Sequence, residues 1–174
     1  MIRFFVLFLV IQAVLFGLEL TSPAQQYFVE PWTHGLAVFS SQLVAFFDPQ
    51  VSAQGKVLQS LSNGFAVSIE AGCNGVEATI VLLAAMLAFP SSWKAKAAGL
   101  AAGIVAVQGL NVVRIISLFY LGQWSYQVFE WAHLYVWQAL IMLDVLIVWL
   151  LWVRFLPRAG LGEVPPGGPP PAPA

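Results

Sequence analysis

The sequence predicts an all-α integral membrane protein of about four transmembrane helices, with a small outward-facing amphipathic helix and a β-hairpin inserted after the first. Three observations predict it. Of 174 residues, 60% are hydrophobic and 9% charged, whereas a soluble domain carries roughly a quarter charged residues. Several windows reach the roughly 20 apolar residues that a helix needs to cross a bilayer. Five of the seven Lys and Arg residues flank those windows, so no basic face forms and no nucleic-acid partner is expected. The single cysteine excludes an intrachain disulfide.

The first window, "FFVLFLVIQAVLFGLEL" from Phe4 to Leu20, reads as a spanning helix over 1–20 or as a signal-peptide core with "TSPAQQ" behind it; its length favours the retained helix. Residues 21–73 follow as an extracytoplasmic segment. Within it, "EPWTHGLAVFSSQLVAFF" spaces its apolar residues as an amphipathic helix lying along the membrane surface. "KVLQSLSNGFAVSIE" then alternates apolar and polar residues about Asn63-Gly64, a strong hairpin signal because both tolerate positive φ.

Residues 74–155 are expected to form a three-helix membrane core, with spans near Asn74–Phe89, Ala97–Leu121 and Trp131–Val153. Pro90 ends the first of these. "GLAAG" at Gly99–Gly103 has the small-xxx-small spacing that admits close helix approach, a pattern also frequent by chance in apolar sequence. The tail from 156 to 174 holds seven of the eleven prolines and reads as disordered cytoplasmic peptide.

Cationic residues accumulate on the cytoplasmic side. Arg3, Lys94, Lys96, Arg154 and Arg158 all fall on one side of the four windows, so both termini are expected to be cytoplasmic and residues 21–73 and 122–130 to face outward. Trp124, Trp131, Tyr120 and Tyr135 suit an outer interfacial belt and Trp93 an inner one.

That topology gathers three reactive side chains at the outer rim. Cys73 precedes the second span; Arg114 lies about 10 Å below Leu121 at 1.5 Å per residue; His133 falls in the first turn of the fourth. A thiol of ordinary pKa about 8.5 becomes a competent nucleophile where a helix start and a nearby cation stabilise its thiolate. An imidazole takes the thiol proton and returns it to a leaving amine. A guanidinium donates to the oxyanion of a tetrahedral intermediate, in a planar fork that Lys lacks. Ionisable groups at membrane depth are functional candidates by default. The bland alternatives are a small buried Cys73, an Arg114 paired with Glu77 or Glu130, and a His133 bonded to its neighbours.

"EAGCNGVEA", "LNVVRIISL" and "EWAHLYVWQ" resemble the Cys, Arg and His motifs of the exosortase/archaeosortase family, in the same order on successive helices; the compact outer segment is most similar to exosortase H. The resemblance spans roughly residues 55–155. It implies a membrane cysteine protease or transpeptidase of the bacterial inner membrane, with its active site facing the periplasm. Cys73 would be the nucleophile, Arg114 the stabiliser and His133 the proton carrier. Implied substrates are exported proteins whose C-terminal tail carries a recognition motif similar to Ile-Pro-Thr-Leu, then a hydrophobic helix and a basic end. Larger members carry additional N-terminal spans, so the groove is expected to be completed by a second copy, as a homo-oligomer, or by a partner, within membrane lipid.

Around the trio, Glu77 reads either as a partner of Arg114 or His133 or as a headgroup-level carboxylate, and Asn111 either orients the guanidinium or bonds across helices. Asn74 and Glu70 flank the thiol as supporting residues. Asp144 is expected in a buried polar contact or a proton path, Ser117 in helix packing and His34 at the surface. One cysteine and two histidines lack metal-ligand spacing, so neither a metal nor a cofactor is expected. The rival reading is a membrane scaffold or a dimerising transporter subunit with Arg114 and Asp144 along an ion path. Transporters of that kind carry inverted repeats and broken spans, and neither is visible.

Overall fold

A computed structural model describes residues 2–156. The chain is mostly helical. Helix α1 (Ile2–Glu19) leads through a short α2 (Ser22–Ala24) and a π-helical turn (Gln25–Val29) into α3 (Glu30–Ala45); strands β1 (Val51–Gln54), β2 (Val57–Ser60) and β3 (Ala66–Ser68) follow. Helices α4 (Val76–Ala88), α5 (Trp93–Trp124) and α6 (Tyr126–Trp131) come next. A second π-helical turn (Ala132–Val136) joins α6 to α7 (Trp137–Phe155).

Three helical stretches are long and apolar enough to cross a membrane: Ile2–Glu19, Trp93–Trp124 and Tyr126–Phe155. The second expected span is the exception, because α4 has 13 residues and rises only about 20 Å against a hydrocarbon core of about 30 Å. Its start is held off by Gly75, at φ +72° in the left-handed region, and its end is set before Pro90. The expected loop at 122–130 is helical instead. The chain breaks only at Ser125, which is extended at φ −157° and caps α6 by accepting from the Val128 amide. At 32 residues, α5 is about 48 Å long and projects beyond any bilayer core.

The expected hairpin is part of a three-stranded antiparallel sheet in the order β1-β2-β3. Asn63-Gly64 turns β2 into β3 as the sequence predicts. Gly64 sits at φ +73°, and Asn63 Oδ1 accepts from the Phe65 amide. The added strand, β1, pairs Gln54 with Val57 around Gly55 at φ +57°. Helix α3 packs one face on β1, β2 and α5, burying Leu36, Ala37 and Val44 with Leu58, Ile69 and Phe119. Trp32 and Phe39, which share a stripe with the buried Leu36 at helical spacing, are exposed, so the apolar surface of the helix is wider than the part that the sheet covers.

At the opposite end, α1, α4, α5 and α7 close around a second core. Phe4, Phe89, Trp149 and Trp152 stack edge to face and in parallel at 5.8–6.2 Å between centroids. The glycines of "GLAAG" make close contacts: a Cβ at Gly99 would run into the Trp152 indole, and one at Gly103 into Leu82 at 2.7 Å. Trp152 Nε1 donates to Ala95 O at 2.9 Å, and Lys96 Nζ donates to Leu87 O at the end of α4. The proline-rich tail lies outside the described residues.

Candidate active site

Two helices and one loop build the site. Helices α5 and α6–α7 run back to back from Ser125, with Arg114 eleven residues before that break and His133 eight after it. A helical hairpin brings such positions to similar depths: Arg114 lies about 15 Å from the end of α5 and His133 about 10 Å into the next helix. Both lie further from the helix ends than the sequence suggests, because α5 runs on to Trp124 and the next helix starts at Tyr126. His133 lies in the π-helical turn Ala132–Val136, closed by the Trp137 amide on Ala132 O, an i+5 bond that widens the helix locally. Phe129 stacks on the imidazole at 5.6 Å and 27° and holds its plane.

The loop supplies the thiol. Strand β3 passes through the buried Ile69, tied to Lys56 O, and turns at Gly72, whose φ of +81° only glycine adopts without strain. The Cys73 amide closes the turn on Glu70 O at 2.9 Å. Asn74 anchors the far side: its Oδ1 accepts from the Val76 amide at 3.0 Å, its Nδ2 donates to Thr33 Oγ1 at 3.2 Å, and its carbonyl accepts from Trp32 Nε1 at 3.2 Å. Three hydrogen bonds thus pin the residue after the thiol to α3 and to the start of α4.

The expected trio meets. Cys73 Sγ is 3.0 Å from His133 Nε2 and 3.5 Å from Arg114 Nη2, and Arg114 Nη1 donates to Gly72 O at 3.2 Å. Arg114 is 2% exposed, yet no carboxylate pairs with it among the described residues, and its Nε has no partner. A buried guanidinium left without a counter-ion is costly. It is aimed at the sulfur. The three side chains, with Ile69, Phe129 and Ser68, line a cavity of about 80 Å³.

Electrostatics correct one expectation. Cys73 lies outside α4, with Asn74 and Gly75 between it and the first helical residue. Burial pushes its thiol pKa up, Arg114 pulls it down, and Glu77 and Glu70 push up again; the net direction is upward. That direction runs against the lowered thiol pKa expected from the sequence. Glu70 holds its own carboxylate below the usual range through hydrogen bonds from Lys56 and Ser68.

The supporting residues divide. Glu77 pairs with neither Arg114 nor His133; its Oε1 accepts from the Gly72 amide and braces the turn before the thiol. Asn111 is fully buried, but neither side-chain atom has a partner, so it does not hydrogen-bond the guanidinium. Asp144 Oδ2 is likewise buried without a partner among the described residues. Ser117 Oγ donates to Arg114 O at 2.9 Å, and the exposed His34 bonds Gly55 O at 2.8 Å. Sequence reasoning missed Phe129, although its place one turn before His133 was a usable signal.

A family model described as Transmembrane exosortase (Exosortase_EpsH) matches residues 1–154. The chain belongs to the transmembrane exosortase family. The match takes in α1 together with Cys73, Arg114 and His133, and this exosortase is accordingly a multi-pass membrane protein. No curated protein and no solved structure matches it.

Proposed function

We propose that this exosortase is a cysteine peptidase or transpeptidase that cleaves the C-terminal sorting tails of exported proteins at the outer face of the bacterial inner membrane. The observation that carries the reading is a thiol held 3.0 Å from an imidazole and 3.5 Å from a buried guanidinium that no carboxylate pairs among the described residues.

Cys73 Sγ attacks the scissile carbonyl carbon while its proton passes to His133 Nε2. The carbonyl oxygen becomes an oxyanion beside Arg114, whose uncompensated charge favours this state over the neutral ground state. Collapse breaks the C–N bond. The leaving amine takes the proton from the imidazolium, and the acyl group remains as a thioester on Cys73. Water or an acceptor amine or hydroxyl then attacks the thioester, gives its proton to His133, and restores the thiol.

The substrate's hydrophobic tail helix lies in the lipid beside the protein, its basic end at the cytoplasmic face, so the recognition motif reaches the outer rim. A second copy of the chain or a partner protein completes the groove. The test is processing of a tailed substrate in membranes that carry Cys73→Ala. Loss of processing to background is expected; processing at the native rate favours a scaffold.

A further inference from the structure

The cavity that holds the thiol is also bordered by the end of a strand. Val67, Ser68 and Ile69 line it together with Cys73, Arg114 and His133. Strand β3 is the edge of its sheet, and α3 packs over β1 and β2. The register pairs Leu58 with Val67, the Ser60 amide bonds Phe65 O, and the Ile69 amide bonds Lys56 O. In an antiparallel pair the backbone groups alternate in direction. Phe65, Val67 and Ile69 therefore spend theirs on β2, while Ala66 and Ser68 direct an N–H and a C=O each to the open side. Those groups have no partner among the described residues, and both residues are exposed.

An unpaired strand edge is a template for another strand. Here it runs into the catalytic cavity, so a chain paired to it is led to the sulfur. We infer that the recognition motif of the substrate binds as an extended peptide added to the free edge of β3, its backbone paired with Ala66 and Ser68. The inference rests on the peptidase reading and specifies how the peptide is presented. Main-chain pairing supplies affinity and leaves alternate side chains for selection.

Two arms test it, both with the full chain in lipid nanodiscs. The first uses synthetic peptides bearing the Ile-Pro-Thr-Leu segment, a hydrophobic helix and a basic end, each N-methylated at one amide of the four residues on either side of the cleaved bond, except at the proline, whose nitrogen carries no N–H. A net backbone hydrogen bond is worth roughly fivefold in affinity. Binding should weaken fivefold or more at alternate positions on one side of the bond, as a rise in KM. Equal tolerance at every position, or losses without a period of two, overturns the inference.

The second arm compares Ser68→Pro with Ser68→Ala. Both lose the hydroxyl bond to Glu70, but only proline removes the outward N–H, leaving the pairing to β2 intact. KM for S68P should exceed that for S68A fivefold or more; equal values count against edge pairing. Should S68P fail to fold, judged by its thermal melt, the N-methyl series decides alone. The two readings fail differently. Cleavage that survives Cys73→Ala defeats the peptidase assignment, whereas cleavage that needs Cys73 but ignores both backbone changes defeats only edge pairing.

Discussion

The two ends of this exosortase differ in what their buried cations meet. At the end built from Phe4, Phe89, Trp149 and Trp152, the Trp152 indole and the Lys96 ammonium both reach backbone carbonyls, and two glycines admit close contact. At the end built from the sheet, the 69–74 loop and the helical hairpin at Ser125, a guanidinium is buried without a counter-ion and burial pushes a thiol pKa up. Trp149 Nε1 is left without a partner at the first end, as Arg114 Nε is at the second, but only the second holds its buried cation against a thiol. In the proposed mechanism that cation favours a negative charge that exists only during reaction.

Substitutions separate the two ends. The largest effect is expected at the outer one: Arg114→Gln should lower turnover of a tailed substrate about 10²–10³-fold, the usual cost of removing an oxyanion donor, with a smaller change in KM. An equal loss confined to KM would make the guanidinium a binding group. At the inner end, Gly99→Leu should cost about 1–3 kcal/mol of stability by overpacking against Trp152. It is read as a lowered thermal melt in detergent. Gly17→Ala, where a Cβ meets open space, should be neutral or slightly stabilising.

The thiol offers a pH test. Because burial outweighs the pull of Arg114, alkylation of Cys73 by a small reagent should rise with pH and reach half its plateau above the roughly 8.5 of a free cysteine. Arg114→Gln should move that midpoint higher still. The sign for stability follows. A thiol that holds its proton more tightly folded than unfolded contributes fully below about pH 8.5, and the contribution fades as pH rises through the native value. The smallest effect is expected for Lys56→Ala. Its ion pair with Glu70 is half exposed on both sides, and exposed pairs contribute about 0–1 kcal/mol.

The same division explains what could be read from the chain alone. Long apolar runs and flanking cations make helices legible, since length and hydropathy are local properties; they placed α1, α4, α5 and α7, of which α4 is too short to count among the three candidate spans. The trio was legible because few ionisable residues lie near the spans. Contacts with backbone were not legible. Glu77 was weighed against two side-chain partners and instead takes the Gly72 amide; Asn111 lies one turn from Arg114 and bonds nothing. Strand β1 was missed because four residues with a Gly-Lys turn give little alternation to detect. The helical continuation at 122–130 was missed because its Trp and Tyr residues suit an interface in any conformation.

The most direct measurement is mass spectrometry of the exosortase quenched during turnover of a tailed substrate. The account predicts an acyl adduct on Cys73 whose added mass equals that of the substrate's N-terminal fragment less one water, present in the native chain and absent in Cys73→Ala. Efficient cleavage with Cys73 unmodified throughout, and undiminished when it is replaced by alanine, would contradict it.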